Sequence, residues 1–169
     1  YTEVDPASYV TVTAGVVTFT NMRSLNSTYV YKDKGVDHFS GDFNHLLTGV
    51  NTSMSNAGLA FNWCLANSIG DGYTVRNLGT KSCLQLDWYE DITHLYDSIS
   101  IVEEDNGVFY SSSFTTDAAP PVTRYYKVIR DEAVGTYGTF YLYIYSDSAR
   151  TNLLSTLSVA LHTSKKDYR

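Results

Sequence analysis

Thr139-Phe140-Tyr141-Leu142-Tyr143-Ile144-Tyr145-Ser146 decides the fold, because Phe140, Leu142 and Ile144 alternate without a break against Tyr141, Tyr143 and Tyr145. A period of two belongs to a β-strand, whose side chains leave it on opposite faces. The aliphatic face needs a core. The tyrosine face tolerates water, since each ring is apolar while its hydroxyl finds a solvent partner. The stretch predicts one strand of a sandwich, packed on one side and displayed on the other.

Working outward, Arg124 to Asp131 is the natural hairpin partner across a loop containing Gly135 and Gly138. A register with Val128 opposite Leu142 and Tyr126 opposite Ile144 makes the inner faces agree. The same register sets Tyr125 against Tyr145, Lys127 against Tyr143 and Ile129 against Tyr141. Tyr125, Tyr141, Tyr143 and Tyr145 then form one outward patch. Cross-strand aromatic pairs contribute about 0.2–1 kcal/mol each, and tyrosine is a good strand residue, so the patch has a structural use. Its functional use is a stacking platform for a sugar or a protein partner.

The 169 residues suffice for one domain with a real core. We expect a lead-in over 1–7, a single domain over 8–163 and a polar tail over 164–169. The net charge is -6, and no basic cluster exceeds Lys165-Lys166, which argues against nucleic acid and anionic membrane surfaces as partners. No apolar run approaches the roughly 18 residues needed to span a bilayer. The chain starts without Met or a signal-like segment, so a mature chain or an excised domain is expected. Fifteen Tyr and 7 Phe with only 18% charged residues match secreted or surface-displayed all-β proteins, and helical periodicity is almost absent.

Turn signals punctuate the rest. Ala14-Gly15 joins the alternating runs Ser8 to Thr13 and Val16 to Met22, and Asn106-Gly107 joins His94 to Glu104 with Val108 to Thr115. Asp33, Asp37 and Asp42 lie in a Gly-containing loop, Lys32 to Phe43. They suit either turn capping or a structural calcium ion, although their spacing is not that of an EF-hand. Leu59 to Asn67 pairs with Lys81 to Glu90 across Gly70-Asp71-Gly72-Tyr73. Placing Trp63 opposite Leu84 gives one wholly apolar face, containing Trp63 and Trp88, and sets Cys64 opposite Cys83. Facing positions are within disulfide range, so the cysteines read either as a disulfide or as two buried thiols. Without a Cys-x-x-Cys, zinc is not expected. About ten to twelve short strands with regular turn signals predict an all-β, antiparallel two-sheet β-sandwich, with a jelly roll as the version for this length.

Tyr29-Val30-Tyr31-Lys32-Asp33-Lys34-Gly35 with Gly41-Asp42-Phe43, the Phe61-Asn62-Trp63 to Ala66-Asn67 strand, and Tyr125 to Asp131 followed by Tyr141 to Asp147 and Leu154 to Leu157 carry a resemblance. The sequence resembles the concanavalin A-like lectin/glucanase superfamily, and more narrowly laminin-G-like jelly rolls of bacterial, archaeal and phage surface proteins. The resemblance implies two curved sheets of roughly six or seven strands each, a concave binding face and, in some relatives, a calcium ion at the rim. It carries over no sugar-binding residue.

Glucanases of that superfamily alternate carboxylates along one strand, with a retaining pair about 5–5.5 Å apart. Here Glu103-Glu104-Asp105 is consecutive, and Asp87 and Glu90 are out of phase, so their side chains point to opposite faces. His38, His45, His94 and His162 are scattered and lack a nucleophile signature. The sequons at Asn26 and Asn51 are compatible with an exterior location. The expected function is a non-catalytic glycan-binding or adhesion module, extracellular, on a cell surface or on a virion. Its partners would be glycans or neighbouring protein domains. The alternative is a self-associating structural protein of a virion, surface layer or filament.

Overall fold

The structure, a computed structural model, describes residues 1–6, 8–20, 28–53, 58–70, 82–91, 96–117, 120–164 and 167–169. The turn at 71–73, the sequon residues Asn26 and Ser27, His94 and Lys165-Lys166 lie outside them. The chain is all-β, in the order β1 (Thr2–Val4), β2 (Val10–Thr13), β3 (Val16–Phe19), β4 (Tyr29–Tyr31), β5 (Phe43–Asn51), β6 (Gly58–Ala66), β7 (Ser82–Asp91), β8 (Tyr96–Asp105), β9 (Val108–Asp117), β10 (Val122–Asp131), β11 (Thr139–Tyr145) and β12 (Leu153–Ala160). Two four-stranded antiparallel sheets, ordered β12-β11-β10-β5 and β6-β7-β8-β9, form the sandwich. Each is narrower than the six or seven strands that the resemblance implied. One sheet is a meander in chain order, so the chain changes sheets between β5 and β6 and again between β9 and β10.

Alternation explains the core. Leu84, Leu86, Trp88, Ile99 and Ile101 from one sheet meet Tyr126, Val128, Phe140, Leu142, Ile144, Leu157 and Val159 from the other, all buried. Trp88 stands edge-on to Tyr126, with centroids 6.4 Å apart. Gly49 on β5 makes room for them: a Cβ there would lie 3.0 Å from the Trp88 ring and 3.2 Å from Tyr126. At the Asn106-Gly107 and Ala14-Gly15 turns all four residues have positive φ, as type I′ hairpins require.

The β10–β11 pairing matches the predicted register at every pair, from Tyr125 opposite Tyr145 to Ile129 opposite Tyr141. The β6–β7 pairing does not. Trp63 lies opposite Leu86 and Phe61 opposite Trp88, with an irregularity between Leu59 and Phe61. Cys64 therefore faces Gln85 and Cys83 faces Ala66, so the cysteines are diagonal neighbours rather than directly opposed. A slip of two residues keeps every side chain on its own face, so apolar alternation cannot detect it.

Both ends of the chain are more structured than expected. Thr2–Val4 in the presumed lead-in pairs with Tyr29–Tyr31. In the tail, Tyr168 is 1% exposed and joins the core cluster. The Arg169 amide donates to the Ala66 carbonyl, and its guanidinium contacts both carboxylate oxygens of Asp33. The buried Arg130 packs 5.8 Å from the centre of the Tyr168 ring and pairs with Glu132.

Candidate functional site: the outer face of the tyrosine sheet

Because β10 and β11 alternate in register, their odd-numbered residues share the face turned away from the core. Three cross-strand rows result: Thr48, Tyr125, Tyr145 and Leu153; Leu46, Lys127, Tyr143 and Thr156; Asn44, Ile129, Tyr141 and Ser158. Tyr125, Tyr141, Tyr143 and Tyr145 are thus brought together, each half-buried, as the sequence predicted. The Tyr141 and Tyr143 rings lie 6.3 Å apart and 27° from parallel. Lys127 Nζ sits 5.7 Å from the centre of the Tyr143 ring, a cation–π distance.

The rim of this face is held rigidly. The Arg150 guanidinium lies 5.8 Å from the Tyr125 ring and donates to the carbonyls of Tyr126 and Leu47 at 3.3 and 3.1 Å. Asp147 holds the loop by accepting from the Asn152 and Thr151 amides. The Asn152 amide is the main reason its carboxyl titrates below the usual range. Asp131, which ends the same face, accepts from the Ala133 amide. What the face offers is ring surface, hydroxyls and the Lys127 ammonium, which suits stacking and hydrogen bonding.

The three loop aspartates do not converge. Asp33 accepts from the Gly35 amide and pairs with Arg169, and those bonds, the amide first, lower its pKa. Asp42 accepts from the Glu132 amide, and Asp37 occupies a positive-φ turn position. Among the described residues no group of three or more His, Cys, Asp or Glu is placed to hold a metal ion. Turn capping, the other reading of these residues, is what the contacts of Asp33 display. Cys64 and Cys83 are both free thiols. Trp88 is fully buried and Trp63 is partly buried against the core, on the apolar face expected of them.

Three polar or aromatic groupings escaped the sequence. On the inner face Glu90 lies directly opposite Asp97, and Asp97 is paired with Arg124 at 2.8 Å from the facing sheet. Burial raises the Glu90 pKa, and the neighbouring Asp97 adds to the rise. At the other end buried Glu103 accepts from the backbone amides of His162 and Thr163. Its oxygen lies 3.1 Å from His162 Nδ1, and that imidazole stacks on Tyr110 at 3.4 Å. Between the edge strands β5 and β6, His45 contacts Phe39, Phe43 and Trp63, and its burial lowers its pKa. Each grouping is assembled by strand register or by residues distant in the chain, which no local motif announces.

Comparison with protein-family models, with curated proteins and with solved structures gives no match.

Proposed function

We propose that this chain is a non-catalytic glycan-binding or adhesion module of a surface or secreted protein, and that the outer face of β10 and β11 is its contact surface. The observation that carries the reading is the gathering of Tyr125, Tyr141, Tyr143 and Tyr145 on one half-exposed face beside Lys127. Aromatic rings with their faces available stack on the apolar faces of sugars, while the hydroxyls and the ammonium bond to sugar oxygens. The acidic balance disfavours polyanionic glycans and favours neutral ones. The resemblance to concanavalin A-like sandwiches supports the same reading.

A glycan-array screen of the purified chain tests it, run with calcium and with a chelator alongside a light-scattering mass. Retention of neutral glycans by a species near 18.9 kDa is expected. Replacing Tyr143 and Tyr145 together by Ser should abolish retention while lowering stability by only about 0.5–2 kcal/mol. Wild-type retention that survives the double replacement removes the platform from consideration.

One observation favours a second reading, a self-associating structural protein. The edge of β5, unpaired among the described residues, and the β2–β3 hairpin flank a groove of about 380 Å³ lined by Val16, Val17, Phe19, Gly49 and Val50 among others. Exposed apolar residues beside an unpaired strand edge are what strand-to-strand association uses.

A further inference from the structure

Among the described residues β5 and β6 are edge strands of the two facing sheets, and aromatic rings close the side of the sandwich where these edges meet. His45 on β5 stands perpendicular to Trp63 on β6, with centroids 5.4 Å apart. Phe39 and Phe43 flank the same imidazole at 5.3 and 5.1 Å, and Phe43 lies 6.4 Å from Trp63. Phe39, Phe43 and Trp63 in turn pack on the main core, and the Phe39 amide donates to the Tyr168 carbonyl at 3.4 Å. His45 touches all three rings. The seam between the two sheets is therefore centred on a side chain whose charge changes near neutral pH.

We propose that His45 is an acid-operated latch: a neutral imidazole holds β5 against β6, and a protonated one leaves the other rings for water, so that the seam opens. The neutral ring packs among apolar neighbours at little cost, whereas the imidazolium loses hydration that they do not replace. The groups that face it supply no counter-charge. From the preceding loop the nearest titratable group is His38, exposed and edge-on to Phe39 at 4.7 Å. From β10 Val128 stands opposite His45, and Arg130 on the same face is already paired with Glu132. From β6 comes Trp63. Burial accordingly holds the His45 pKa below the ordinary histidine value of 6.5. The folded chain then binds this proton less firmly than the unfolded chain does. The latch contributes fully above pH 6.5 and is lost as pH falls from there through the lowered folded value.

Nuclear magnetic resonance titration of the full-length chain tests the proposal, joined to Tm measured from pH 4 to 8 for wild type, His45→Phe and His38→Gln. The His45 imidazole should titrate with a midpoint below 6.5, and the Trp63 indole N–H resonance should move over the same range. His45→Phe keeps a ring in the seam but cannot take up a proton, so its Trp63 resonance should stay fixed. Between pH 7 and 5 the wild-type Tm should fall behind that of His45→Phe by about 2 °C or more. Glu90 and the other titrating groups are common to both chains and cancel in that difference. His38→Gln should behave as wild type. A His45 midpoint at or above 6.5 overturns the proposal, because the neighbouring ring faces would then hold the imidazolium rather than expel it. So does a His45 that titrates while Trp63 stays still, since the proton would then enter without opening the seam. An acid response abolished by His38→Gln overturns the assignment to His45. The wild-type titration decides the main point even where a variant fails to fold.

Discussion

At the residue scale, two positions show how tightly the interior is determined. Gly49 has no room for a methyl group, because the Trp88 and Tyr126 rings already sit at contact distance from where its Cβ would be. Both rings are fully buried, so neither can swing into solvent. Gly49→Ala should cost about 1–3 kcal/mol, seen as a fall in Tm with the strand signal in circular dichroism retained. Glu90 presents the electrostatic counterpart. Its pKa is raised in the folded chain by burial first, so the native state holds its proton more firmly than the unfolded chain does. Stability from this group is present below the ordinary glutamate pKa and declines as pH rises through the raised value. Glu90→Gln replaces the acid with a neutral group of the same shape and should remove that decline. Tm measured from pH 4 to 9 should show wild type and variant converging at the acid end, with the variant gaining as pH rises. Parallel curves would mean that Glu90 does not titrate in this range.

At the level of elements, the tail is the informative case. Residues 164–169 read as polar and prone to fray, yet Tyr168 enters the core beneath Arg130. The one signal available was an isolated aromatic in a polar run, and composition outweighed it. Tyr168→Ala should destabilise by about 3–5 kcal/mol, the usual cost of deleting a buried aromatic, and a denaturant midpoint measures it. A loss under about 0.5 kcal/mol would place the tail outside the cooperative unit. Strand pairing was legible to different depths for a similar reason. The β10–β11 register could be read because facing apolar residues and a glycine loop agree on a single alignment. In β6–β7 the same period-two pattern fits two alignments, and the apolar faces agree in both. The tyrosine face followed from the first pairing. The Glu90–Asp97 and Glu103–His162 contacts followed from no single stretch, since each joins residues whose meeting depends on register or on a chain separation of 59 positions.

At the scale of the whole molecule, the question is what the open edge of the tyrosine sheet does. Among the described residues β5 is paired only with β10, and Val50 near its end is 61% exposed beside the hairpin groove. Proteins that stay monomeric interrupt such edges with charge, and among the residues lining this groove there is none. The net charge of -6 supplies instead a general repulsion between copies that weakens as salt screens it, over about 10 Å at 0.1 M. The wild-type chain should therefore be a monomer near 18.9 kDa at low ionic strength, with any association appearing as salt is raised. Val50→Lys places a charge on the edge at an exposed site, where the stability change should stay within about 0.5 kcal/mol. Multi-angle light scattering of both chains across a salt series then distinguishes the two functional readings. Salt-induced growth in mass that Val50→Lys abolishes assigns the edge to self-association and favours the structural role. A wild type that remains monomeric throughout removes the edge-mediated structural reading.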